Sequence, residues 1–272
     1  MNTSGILSES FSVILCRQKR NLFDNMWREG FFKKLRRFIL RALLVFFIFT
    51  VVWVILARFI PVYVTPLMVI RTFEQMADGE KPKMKKDWVS IDDISPNMVQ
   101  AVVASEDNHF MTHHGFSFRD MNKAFVHNQK GKRIRGGSTI SQQTAKNVFL
   151  WPQRSYLRKG LEAYFTVLIE VFWSKERIME VYLNVIEMGD GIYGVEAASQ
   201  AYFDKSARNL TKSQAASIAV CLPNPRKYSP VNPSQYITMR RNKIVSLMGK
   251  IPTVNLDGKQ VRAEQKIKKR RK

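Results

Sequence analysis

Two adjacent carboxylates, Glu106 and Asp107, open the stretch Glu106-Asp107-Asn108-His109-Phe110, about thirty residues ahead of Gly136-Gly137-Ser138-Thr139-Ile140-Ser141-Gln142-Gln143. A carboxylate can serve as a general acid or base when its surroundings tune its pKa. Two glycines let backbone approach a ligand closely, and a helix N-terminus behind them presents N–H groups suited to phosphate. Lys132, Arg133, Arg135 and Lys146 flank this loop. The combination would suit an enzyme that breaks a sugar–diphosphate bond. Taken singly, each feature has a plainer reading: a helix-end acid, and a Gly-Gly loop before a capped helix. The loop is not a Walker A loop, because no Gly-Lys-Ser or Gly-Lys-Thr follows.

His113 and His114 follow the acids closely, but no second ligand set accompanies them, so both read as structural histidines and any metal is unassigned. Arg158 and Glu162 stand at i, i+4, which by spacing alone reads as a surface salt bridge of a few tenths of a kcal/mol.

The elements that must position these groups read as helices, with few strand signals. Ser95-Pro96 is an N-cap followed by proline at the first helical position. Met98, Ala101, Val102 and Ser105 then recur at helical spacing, which puts Glu106 near that helix's C-terminal end. Ser117 with Asp120 starts the next helix. Ser138 or Thr139 caps a third, with Gln142 at capping-box spacing from Thr139. Tyr156 to Trp173 is a long apolar helix, and Ser174 begins another with Ile178, Val181, Tyr182 and Val185 on one face. Thr211 and Gln214 form a second capping box before a run that stops at Pro223, and Ser234 to Met248 closes at Gly249.

The chain of 272 residues carries 44 Lys and Arg against 22 Asp and Glu, a formal charge of +22. That balance implies a polyanionic partner: nucleic acid, anionic lipid or a phosphorylated substrate. Hydrophobic residues make up 45%, enough for a core. From Phe38 to Ile60 the chain is almost wholly apolar and reads as a membrane span, with Lys33, Lys34, Arg36 and Arg37 placing its N-terminal side in the cytoplasm. Two prolines, Pro61 and Pro66, argue against a continuing helix, and the apolar residues around them suggest a shallow membrane contact. Cys16 and Cys221 fall on opposite sides of the span, so they are not expected to pair.

Together these stretches resemble the peptidoglycan glycosyltransferases of glycosyltransferase family 51. The family's Glu-Asp-x-x-Phe-x-x-His-x-Gly matches at Glu106, Asp107, Phe110, His113 and Gly115, and its Gly-Gly-Ser-Thr-Ile-(Thr/Ser)-Gln-Gln from Gly136 to Gln143, with Lys146 and Asn147 beyond. Its Arg-Lys-x-x-Glu falls on Arg158, Lys159 and Glu162, and its last motif on Lys175 to Asn184 with Tyr193 to Ala198. The spaced matches cover roughly Ile91 to Met248. Gln214 departs from the family's usual Glu, a position read as the structural partner of Thr211.

The resemblance implies a mainly α, lysozyme-like domain divided as a cytoplasmic arm over 1–37, a transmembrane helix over 38–60, a membrane-proximal linker over 61–90, the catalytic domain over 91–250 and a basic tail over 251–272. A transpeptidase domain is not expected, since Ser-x-x-Lys and Lys-Thr-Gly are absent. It implies polymerisation of lipid II onto a nascent glycan strand, with inversion at the anomeric carbon and release of undecaprenyl diphosphate. Glu106 would be the base and Glu162 an assistant near the leaving diphosphate. Arg135, Gly137, Ser138, Thr139, Gln142, Gln143, Lys146 and Arg158 would bind substrate, with Asp107, Phe110, His113 and Asn184 in support. No cofactor is required by the sequence, although a divalent cation, Mg or Mn, would be compatible. The implied setting is the bacterial inner membrane, single-pass, with the catalytic domain periplasmic and other cell-wall synthesis and division proteins as partners.

Two other classes are weighed against this reading. A lysozyme-like hydrolase would use Glu106 as an acid on preformed glycan, but needs neither the phosphate loop nor the span. A nucleic-acid binder would explain the charge, but no helix-turn-helix, zinc or ribonucleoprotein motif appears.

Overall fold

The computed structural model describes residues 4–129, 131 and 136–256, with side chains from Phe31 onward. Lys132, Arg133 and Arg135, and the basic tail from Lys266 to Lys272, lie outside the described residues. The chain divides into two units, one up to Trp53 and one from Val54.

The first unit is the body of a single helix, α1 (Ser4–Ala57). Its stretch Phe31–Ala57 is 27 residues long, apolar enough to cross a membrane, and only 11% of its apolar window is buried. At 1.5 Å per residue it extends about 40 Å, enough for a hydrocarbon layer of about 30 Å. The helix ends at Ala57, short of Pro61.

The second unit carries the remaining helices: α2 (Pro66–Ala77), α3 (Pro96–Glu106), α4 (Phe118–Gln129), α5 (Ile140–Phe149), α6 (Tyr156–Phe172), α7 (Lys175–Val185), α8 (Val195–Phe203), α9 (Lys212–Cys221) and α10 (Gln235–Met248). Helix α3 packs with α9 and α10, and α5 lies against α6 and α7. The predicted caps are in place. Ser95 accepts from the Asn97 amide with Pro96 behind it, and Ser174 accepts from Arg177. Both Thr139–Gln142 and Thr211–Gln214 form reciprocal capping boxes. The Gln214 departure is therefore structurally filled. Met98, Val102, Ile140, Ile178, Tyr182, Leu183 and Ile218 are buried in the core. Cys221 is a free thiol within it.

Two features depart from the sequence reading. The stretch read as a membrane-proximal linker contains a helix, α2, because Pro66 occupies the first helical turn, where its missing N–H costs nothing, and Thr65 caps it. The second of the two prolines therefore starts a helix rather than merely ending one. A small sheet also forms from β1 (Lys85–Lys86), β2 (Glu187–Gly189) and β3 (Ile192–Tyr193), in the order β1-β3-β2. β1 runs parallel to β3 with Lys85 opposite Ile192, and β2 runs antiparallel to it with Glu187 opposite Tyr193. Strands of two or three residues are too short to show period-2 alternation.

Within the second unit, side chains hold the C-terminal end of α1 and the residues just after it. Trp173 Nε1 donates to the Val54 carbonyl at 2.8 Å, and Arg177 Nη2 donates to those of Ala57 and Ile60 at 2.9 and 2.6 Å. These bonds satisfy carbonyls that a helix C-terminus leaves open. Lys86 Nζ donates to the Val62 and Tyr63 carbonyls.

Candidate active site

Glu106 is the last residue of α3, held at the edge of a cavity of about 280 Å³ that is also lined by His109, Asp120, Lys123, Gly137 and Ser138. Its two oxygens are separately held. Ser105 Oγ donates to Oε1 at 3.1 Å, and Gln143 Nε2 donates to Oε2 at 3.1 Å. The Gln143 amide is itself oriented by the buried Tyr182 hydroxyl, which donates to Gln143 Oε1 at 3.2 Å. Burial raises the Glu106 pKa above the ordinary glutamate value, while the Gln143 and Ser105 bonds and the Arg240 charge pull the other way; the Asp107 charge adds to the rise. The result is a carboxyl with stronger affinity for a proton than a surface glutamate has.

Asp107 is buried and fully engaged. His113 Nε2 contacts both of its oxygens at 3.0 and 2.9 Å, and the Ile140 N–H donates to Oδ2 at 3.0 Å. The Gly115 N–H donates to His113 Nδ1 at 3.1 Å, which leaves Nε2 to carry the proton towards Asp107. Asp107 thus ties the α3 terminus to the start of α5 and cannot reach a reacting atom without breaking this set. Phe110 is fully buried, with Lys175 Nζ 4.6 Å above its ring. Lys175 also pairs with Glu170 at 2.7 Å. Asn184 pairs its amide with the Val89 backbone through two bonds of 2.9 Å, a supporting role. His114 is exposed.

The glycine loop differs from the expected cradle. Thr139 Oγ1 donates to the Gly115 carbonyl at 2.6 Å and accepts from the Gln142 N–H, while Gln142 Oε1 accepts from the Thr139 N–H. With Ile140 N–H taken by Asp107, the first amides of α5 are largely used inside the protein. Ser138 is exposed at the rim and Gly137 is half-buried against α4.

Lys146 lies elsewhere, in a second cavity of about 380 Å³ lined also by Arg71, Arg154, Arg158, Trp151 and Glu187. The single cradle read from the sequence is thus two cavities. The reason is helical: Lys146 stands six residues beyond Ile140 on α5, about 9 Å along the axis. Gln143, between them, lines the second cavity and bonds the carboxylate at the first. Burial lowers the Lys146 pKa; nearby Glu162 raises it, and Arg158, Lys159 and Arg154 lower it further. Lys146, Arg154, Arg158 and Arg71 converge on the wall of this one cavity.

Arg158 and Glu162 are no surface pair. Nη1 meets Oε2 at 2.9 Å with both side chains buried, and Lys159 Nζ takes the other oxygen. Replacing one partner of a buried pair strands the other, so this pair differs in kind from an exposed one.

Comparisons with known proteins give the family. A family profile described as Transglycosylase matches residues 72–249, well over half of the chain. The chain belongs to the transglycosylase family. It is 56% identical to a biosynthetic peptidoglycan transglycosylase of Bacteroides thetaiotaomicron over 220 residues, covering 81% of this chain and 89% of the relative. Like-named proteins of Bdellovibrio bacteriovorus and Caulobacter vibrioides are 54% and 53% identical, over 78% and 80% of this chain and 85% and 92% of theirs.

The transglycosylase domain is mainly α and lysozyme-like, as the motifs implied. Its structure brings Glu106, Gly137, Ser138 and Thr139 to one cavity, and Gln143, Lys146 and Arg158 to the other. Gln142 is spent in the cap, and Arg135 lies outside the described residues. A divalent cation does not fit at Glu162, because Arg158 and Lys159 occupy its oxygens and Lys146 is nearby. Among the described residues no cluster of three His, Cys, Asp or Glu could hold a metal.

Sequence reasoning missed Arg71, Arg154 and the bonding role of Tyr182. Arg154 sits in a short loop after Trp151-Pro152, with no local pattern to mark it. Arg71 lay in a stretch read as linker. Tyr182 was legible as one apolar position on a helix face within the last motif, without its hydrogen bond to Gln143.

Proposed function

We propose that this transglycosylase polymerises lipid II, using the nascent glycan on its lipid diphosphate as donor and lipid II as acceptor. It is a peptidoglycan glycosyltransferase of cell-wall synthesis. The acceptor 4-hydroxyl gives its proton to Glu106 and attacks the donor anomeric carbon from the face opposite the diphosphate. The bond from that carbon to the diphosphate oxygen breaks, and the configuration inverts. A base of this kind contributes roughly 10²–10⁴-fold.

The observation that carries the reading is the link through Gln143, which bonds the Glu106 carboxylate while lining the cavity that Lys146, Arg154 and Arg158 make positive. Diphosphate is a good leaving group and needs charge neutralisation more than a proton, which fixed cations supply. Glu162 serves by holding Arg158 and Lys159 in place. Ser138 and Gly137, at the rim of the Glu106 cavity, face the acceptor.

One N-terminal apolar helix fits a single-pass membrane anchor. The basic residues before it, Lys33, Lys34, Arg36 and Arg37, support a cytoplasmic N-terminus with the domain on the far side of the inner membrane. Phe59, Tyr63 and Phe73 are exposed apolar residues just after the anchor and suit a shallow contact with the same membrane.

The test gives detergent-solubilised protein labelled lipid II and separates products by size. Polymer formation that is lost in Glu106→Gln is the expected result. Cleavage of added glycan strands without polymer would move the protein to the hydrolytic class.

A further inference from the structure

We propose that Arg71, on the membrane-proximal helix α2, is a substrate-positioning residue that contributes a guanidinium to the diphosphate cavity, with Glu187 as the acid that faces its open Nε and competes with the anion for it. The inference rests on the lipid-diphosphate reading above and extends it to a helix outside the recognised motifs.

Helix α2 is a fixed wall. It packs on α5, Met68 is fully buried, and Leu67 and Arg71 line the cavity that contains Lys146 and Arg158. Its C-terminal end is tied as well, since the Lys83 N–H donates to Gln75 Oε1 at 2.8 Å. A side chain presented from such a wall has a defined reach.

The guanidinium of Arg71 is under-used. Nη1 is engaged by Glu74 at 2.5 Å, but Nε is buried and finds no hydrogen-bond partner among the described residues. Glu187 Oε2 stands 3.9 Å from that Nε, close enough for attraction and too far for a hydrogen bond. Arg158 Nε in the same cavity wall is likewise buried without a partner. Two arginines with unspent donor capacity, lining one cavity, suit an oxyanion with several acceptor oxygens. A diphosphate supplies them. Glu187 repels that anion, so on binding Arg71 exchanges a long contact with Glu187 for direct bonds to phosphate.

The experiment measures inorganic pyrophosphate binding to the full detergent-solubilised chain by calorimetry, and lipid II polymerisation in parallel. Arg71→Gln should weaken pyrophosphate binding about tenfold or more. It should also raise KM for lipid II with less effect on kcat. Glu187→Gln should act in the opposite direction, strengthening pyrophosphate binding several-fold, because it removes the competing acid. Opposite signs are the discriminating result: a merely structural Arg71–Glu187 tie would make both variants weaker and both melt earlier. Arg71→Lys, which keeps the charge, should recover part of the binding. Unchanged pyrophosphate binding in Arg71→Gln, or weakened binding in Glu187→Gln, overturns the proposal. If the wild type binds pyrophosphate with this variant pattern yet does not polymerise lipid II, the polymerase reading fails and the anion site stands.

Discussion

Gln143 donates to Glu106 at 3.1 Å while accepting from Tyr182 at 3.2 Å, so the carboxylate at the end of α3 is oriented by a residue buried in α7. An amide can present either its NH₂ or its carbonyl. The Tyr182 hydroxyl, donating to the carbonyl, selects the orientation in which NH₂ faces Glu106.

Glu106→Gln should lower polymerisation by roughly 10²–10⁴-fold while leaving lipid II binding largely intact, because it removes the proton acceptor and keeps the shape. Single-turnover rates together with a lipid II binding titration check this. Near-normal turnover would remove Glu106 as base.

The base must be ionised to act, so activity should rise with pH through the folded pKa of Glu106, which burial lifts above 4.5. Tyr182→Phe should move that acidic limb to still higher pH. Without the hydroxyl, Gln143 can turn its carbonyl toward Glu106, and the carboxylate loses a donor that favours its charged form. Asp107 and Arg240, the other charges facing Glu106, stay as they are. The pH dependence of kcat for the two proteins decides the point. A lower rate with an unmoved limb would give Tyr182 a packing role only.

Lys146→Ala should chiefly raise KM for lipid-diphosphate substrates, since Lys146 sits with Arg154 and Arg158 in the cavity rather than beside the base. Steady-state kinetics with a melting curve separates this from a structural effect. A variant that fails to fold would make Lys146 a structural residue.

Glu162→Ala should cost about 3–5 kcal/mol of stability, because it leaves Arg158 buried without its counter-charge. Chemical denaturation of the detergent-solubilised protein measures this, and activity should fall as Arg158 and Lys159 lose their fixed positions. A loss below about 1 kcal/mol would place the pair among exposed salt bridges.

Gly115→Ala should destabilise by about 1–3 kcal/mol. Its φ is +86°, and an added Cβ would lie 2.8 Å from Thr166 Cγ2 and 3.1 Å from Glu170 Cγ. The same turn aims the Gly115 N–H at His113, so the Asp107 network should loosen and activity should drop with stability. Thermal melting beside turnover checks both.

Local rules were sufficient for much of this molecule. A helix cap is settled by four or five neighbouring residues. Ser95-Pro96, Thr139–Gln142, Ser174 and Thr211–Gln214 could therefore be read directly, and with them the place of Glu106 at a helix end. The long apolar helix was equally legible, because twenty or so consecutive apolar residues have few alternatives. The motif spacing carried the family and the mainly α class.

What the tertiary structure alone decided is who meets whom. Lys146 and the glycine loop are ten or fewer residues apart, yet they face different cavities because a rigid helix separates them. Arg71 and Glu187 are 116 positions apart and come within 3.9 Å because the fold brings both to the wall of one cavity. Burial was equally invisible: the same i, i+4 spacing gives a weak pair in water and a strong one in a core, and only packing put Arg158 and Glu162 in the latter. Sequence spacing determines geometry along a helix; distance and solvent exposure between helices follow from the packed whole.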